Sequence, residues 1–127
     1  MTFEVTGLYA AILGLMMIVL QILAIAARAK NETLFGDAGE MRMILPIRRH
    51  GNFIETVPMA LIVMALAEAQ GLSVSWLHGA GVLLVASRLI HPFGLAETKK
   101  ALPVRIAGIV GTWIATLIPI AALFSLM

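Results

Sequence analysis

Four apolar runs, each about the length of a bilayer crossing, constrain this chain more than any other feature. They cover about residues 7–27, 52–69, 76–93 and 106–127, and the first is broken only by Gln21. At a rise of about 1.5 Å per residue, runs of roughly 18 to 22 residues match a hydrocarbon core about 30 Å thick. With 61% of residues hydrophobic and 13% charged, the expected fold is all-α: an integral membrane four-helix bundle forming one domain over residues 1–127. That leaves no room for a separate soluble domain. Ala24-Ile25-Ala26 weakly resembles a signal-peptide cleavage site. The apolar run before it is too long for that role, and the segment ahead of the run carries Glu4 but no Lys or Arg. It reads as a retained helix.

The nine basic residues all fall on one side of this topology. Arg28, Lys30, Arg42, Arg48 and Arg49 lie in or beside the first connection, and Lys99, Lys100 and Arg105 in or beside the third. Arg88 sits on the half of helix three nearer that connection. Cytoplasmic loops carry the excess of Lys and Arg, so loops one and three are expected in the cytoplasm and both termini outside. The first connection contains a turn signal, Gly36-Asp37-Ala38-Gly39. Residues 41–47 are apolar but short and interrupted by Pro46, which suggests a segment lying along the membrane surface before helix two. Leu102-Pro103 suits the first turn of helix four. Without cysteine, disulfides, protein thiolate chemistry and most zinc or iron–sulfur sites are excluded. The three histidines are scattered. No metal and no nucleic-acid partner are expected.

The polar cluster from Arg48 to Pro58 marks where function should be sought, because ionisable groups in membrane helices are expensive. Arg48, Asn52 and Glu55 are spaced four and three apart and so stack on one helical face. They read either as the polar wall of a ligand site or as interfacial anchors and a helix-to-helix staple. Arg88 lies about 15 Å deep and needs an anion; Glu55, at comparable depth on a neighbouring helix, is the expected partner. His91 shares the face of Arg88 and reads more readily as a packing residue than as an acid–base group. Arg105 opens helix four, where a cation and the helix macrodipole both favour negative charge, and Arg28 closes helix one. Arg28, Arg48 and Arg105 would make a cationic pocket with a carboxylate and an amide. That suits a small, multiply charged anion bearing an amine. Glutathione fits the description, as do other anions.

Arg48, Asn52, Glu55 and Pro58 form the pattern Arg-x-x-x-Asn-x-x-Glu-x-x-Pro, which resembles the helix-two signature of the MAPEG family, the membrane-associated proteins in eicosanoid and glutathione metabolism. Gly36 to Gly39 with Ile47 to Asn52, and Ser87 to Leu95, are similar to its short bacterial branch. Pro103-Val104-Arg105 resembles the start of helix four in prostaglandin-synthase members. The resemblance spans essentially the whole chain. It implies a homotrimer in the inner membrane, binding glutathione between protomers near the cytoplasmic face and acting as a transferase or peroxidase on lipophilic small molecules. Arg48, Asn52 and Glu55 would line the glutathione site, with Arg28, Arg88, His91 and Arg105 counted in it. Arg105 matches the arginine that would stabilise the glutathione thiolate. Catalytic members carry tyrosines in late helix three and in helix four; here Leu95 and Ile109 occupy those approximate positions, and Tyr9 is the only tyrosine. Gly51 stands where some members have a basic residue.

Two other readings stand beside this one. A small four-helix transporter would have similar length, but such proteins carry an acid within helix one, and this apolar span has none. A structural membrane protein, its polar residues only holding the assembly together, is the other.

Overall fold

A computed structural model describes residues 2–126. Four helices follow one another: α1 (Glu4–Lys30), α2 (Met41–Ala69), α3 (Val74–Gly94) and α4 (Leu102–Leu126), with a 3-10 turn, Lys99–Ala101, leading into α4. All four are long and apolar enough to cross a membrane. Each begins earlier than hydropathy alone suggests, because apolar runs mark the part immersed in lipid and the helical backbone continues past it. The largest difference is in α2. Residues 41–47 belong to it and do not form a separate surface segment. Pro46 removes only one hydrogen bond, to the carbonyl of Arg42, and the Glu40 carbonyl accepts from the N–H groups of Met43 and Ile44 at 2.9 Å each. At 29 residues, α2 is about 43 Å long, well beyond the hydrocarbon thickness.

α3 and α4 form the most extensive pairing and α1 packs mainly on α2. The α3–α4 seam is built on glycine. A Cβ placed on Gly94 would lie 2.3 Å from the Arg105 backbone nitrogen, and one on Gly108 would lie 2.8 Å from His91 Cβ. Close helix approach without a hydrophobic driving force requires small residues at such points. Leu13, Phe53, Val57, Ala60, Leu84 and Ala115 from all four helices form the main apolar core.

At the end opposite the basic connections, two polar contacts join α1, α2 and α3. Phe3, before α1, provides no side-chain cap. The Val5 and Thr6 N–H groups donate instead to the two Glu68 carboxylate oxygens on the last turn of α2, at 3.0 and 2.8 Å. These are the second and third helical positions, whose donors have no partner within the helix. Tyr9 Oη lies 2.8 Å from Nδ1 of His78 on α3, and its ring rests where a side chain on Gly81 would have to go. Glu68→Ala should therefore lower stability by about 1–2 kcal/mol, from the lost cap and the lost charge at the helix N-terminus. Glu68→Gln should lose less. Thermal unfolding in detergent tests this: equal midpoints for wild type and Glu68→Ala would mean the carboxylate contributes nothing.

Candidate functional site

The polar face of α2 divides into two rows. Arg48 and Glu55, two turns apart, form an ion pair with N–O distances of 3.3 and 3.4 Å, and both side chains are about half exposed. Asn52 and Thr56, one turn apart, face α3 instead. Arg88 Nη1 donates to Asn52 Oδ1 at 2.9 Å and to Thr56 Oγ1 at 3.3 Å, while Nη2 donates to the Gly108 carbonyl on α4 at 3.0 Å. The expected Glu55–Arg88 pair does not form. A buried guanidinium can be satisfied by neutral acceptors, and the Asn52–Thr56 row supplies them in place of the carboxylate. Arg88, 2% exposed, thus bridges α2, α3 and α4.

Arg48, Asn52 and Arg105 line one cavity of about 250 Å³, with Met41, Ile44, Leu45, the last α3 residue Gly94, and Leu95 and Ala96 just beyond it. Two features place Arg105 there. Pro103 occupies the first turn of α4, where its fixed φ suits helix initiation. Gly94 then lets the backbone of Arg105 lie directly against the end of α3. Arg49 fixes the far wall, its Nη2 donating to the Leu95 carbonyl at 2.7 Å. Asn52 also borders a second, deeper cavity of about 210 Å³, together with Thr56, Arg88, Ile109, Thr112 and Trp113. Asn52 is therefore the hinge between an outer cationic chamber and an inner one between α2 and α4.

The remaining candidates lie elsewhere. Arg28 does not line either chamber; its Nε donates to the Gly36 carbonyl at 3.1 Å, closing the first connection on itself. His91, 2% exposed, packs against Gly108 in the α3–α4 seam and lines neither chamber. Glu55 lines neither chamber; held by Arg48, it borders a separate groove of about 350 Å³ between α2 and α4, with Thr56, Thr112 and Trp113. Thr56, Thr112 and Trp113 went unnoticed in the sequence. The signal for Thr56 was its position one turn after Asn52 on the same face.

Among the described residues, no three His, Asp or Glu side chains come together as a metal site. Chemically, two exposed guanidiniums and an oriented amide, with the Glu55 carboxylate beside Arg48, can hold a zwitterionic molecule with more than one anionic group.

No solved structure matches the chain significantly. Over 118 residues the chain is 30% identical to inner membrane protein YecN of Escherichia coli K12, covering 93% of this chain and 88% of the relative. It matches the YecN of Escherichia coli O6:H1 strain CFT073 equally well. The model of the MAPEG family matches residues 6–125. With a family model matched from the first turn of α1 to the last turn of α4, the chain belongs to the MAPEG family.

Proposed function

We propose that this protein is a bacterial inner-membrane MAPEG protein that binds glutathione, or a closely related thiol, at a cytoplasm-facing site completed by a neighbouring protomer of a homotrimer. The observation that carries the reading is the convergence of Arg48, Asn52 and Arg105 from two helices on one cavity. At about 250 Å³ that cavity falls below the usual range for ligand pockets of about 300–1,000 Å³, which favours a site with one wall supplied by another copy. Arg28, turned away from the cavity of its own protomer, would then serve the site of the next. The confinement of all basic residues to one side supports a cytoplasmic mouth, and the name of the Escherichia coli relative supports the inner membrane.

In this reading Arg48 and the exposed Arg105 bind the glutathione carboxylates and thiol, Asn52 bonds its backbone amides, and Glu55 takes its ammonium. The thiolate is the nucleophile, and Arg105 at the start of α4 stabilises it. Attack on a lipophilic electrophile, delivered from the bilayer, forms the carbon–sulfur bond and releases the leaving group. With a hydroperoxide, two glutathione molecules are oxidised to the disulfide as the peroxide is reduced to alcohol and water.

A cation in a partly desolvated pocket lowers a thiol pKa by about one to three from its usual value near 8.5. At neutral pH the thiolate fraction should rise from about 3% to about a quarter or more. Titrating glutathione into the protein should therefore raise the ultraviolet thiolate absorbance, and Arg105→Leu should abolish the rise while weaker binding persists. Binding without a thiolate signal would reject the catalytic reading. No binding at all would reject the site and leave a structural role.

A further inference from the structure

A second site is carried by Arg88, which the glutathione reading leaves electrically unbalanced. Among the described residues, ion pairs form at Arg42–Glu40 and Arg48–Glu55, and none forms at Arg49 or Arg88. Buried charges are normally paired. The Nε atoms of both arginines are moreover buried without any hydrogen-bond partner.

Both arginines also border a different concavity. It is a groove of about 420 Å³ between α1 and α3, walled by Val19 and Leu23 on one side and Leu89 and Phe93 on the other. Its aliphatic and aromatic walls are half or more exposed, so it opens on the side of the bundle. Leu23 lies about 10 Å along α1 from Lys30, and Leu89 about 7 Å along α3 from Gly94. The groove therefore sits in the half of the bundle that carries the basic connections, within reach of the headgroup layer.

We propose that this groove binds a single-chain lipid carboxylate, its headgroup against Arg49 and Arg88 and its tail between α1 and α3. Charge complementarity sets the head: two guanidiniums without a carboxylate partner at an otherwise apolar groove. Volume sets the tail. A groove of about 420 Å³ is within the range for one small ligand and too small for a two-chain phospholipid. The site is distinct from the Arg48–Arg105 chamber and does not depend on glutathione binding. It gives the protein a resident or regulatory fatty acid bound through the guanidinium that also orients Asn52.

The test uses purified protein in phosphatidylcholine nanodiscs and a palmitate analogue carrying a diazirine in its tail. Photolabelling should map to the α1 and α3 peptides around Val19 and Leu89. Palmitate should compete at least tenfold better than hexadecanol, because only the carboxylate makes charge-assisted bonds. Arg49→Gln should erase that difference. Val19→Trp with Leu89→Trp should remove the label while oligomer mass and glutathione binding stay as in wild type. Label on α2 and α4, equal competition by hexadecanol, or competition by phosphatidylglycerol as strong as by palmitate would each overturn the proposal.

Discussion

Gly94→Ala should lower the stability of the detergent-solubilised protein by about 2–3 kcal/mol and weaken glutathione binding together with it. The added methyl would meet the backbone nitrogen of Arg105 at 2.3 Å and its Cα at 2.4 Å. Backbone atoms cannot rotate away, so the start of α4 must move off the end of α3. Overpacking of this kind typically costs about 1–3 kcal/mol, and here it displaces a residue that lines the cationic chamber. Gly79 supplies the control. It lies within α3, and a Cβ there meets nothing within 4 Å. Gly79→Ala should thus gain about 0.5–1 kcal/mol from helix propensity alone. Equal effects of the two substitutions on unfolding would show that the seam is looser than described.

The other large effect is expected between Asn52 and Arg88. Asn52→Leu deprives a buried guanidinium of its shortest side-chain hydrogen bond and should cost about 1.5–3 kcal/mol. Arg88→Met leaves the Asn52 amide unpaired and should be costly as well. The double variant should be milder than the sum, with a coupling of about 1.5–3 kcal/mol in a double-mutant cycle. Glu55→Gln should change stability by less than about 1 kcal/mol, since the Arg48–Glu55 pair is half exposed. If Glu55→Gln proved worse than Asn52→Leu, the partner of Arg88 would have to be the carboxylate after all.

Hydropathy made the four helices legible because a bilayer accepts only backbone that satisfies itself. It misplaced the start of α2 because Arg48, Arg49, His50 and Asn52 lower the apolar score without disfavouring helix. Charge matching chose Glu55 for Arg88 because opposite charges at similar depth are visible in a sequence. Side-chain direction is not. Arg48 and Glu55, two turns apart, pair with each other half exposed, and the single turn from Asn52 to Thr56 faces α3. The role of Glu68 is not legible in the sequence, because its partners are two backbone N–H groups at the far end of the chain, which leave no mark in residue identity. Arg48 and Arg105 of the outer chamber are legible as cations, whereas Arg28 does not join them. The inner chamber leaves no such mark: Thr112 and Trp113 look like ordinary membrane-helix residues until α4 is set against α2.

The bonds of Arg88 also carry information about how the protein is made. Its acceptors Asn52 and Thr56 precede it by 36 and 32 residues, whereas Gly108 follows it by 20. When α3 leaves the ribosome, the amide and hydroxyl on α2 have already been synthesised, and the carbonyl on α4 has not. An arginine mid-helix costs about 2.5–3.5 kcal/mol to insert alone, so α3 is best released to the lipid after α2 has received it. α2 and α3 are thus committed to one another during synthesis. α4, with the Arg105 edge of the chamber, docks last on a bundle whose interior charge has already been accommodated.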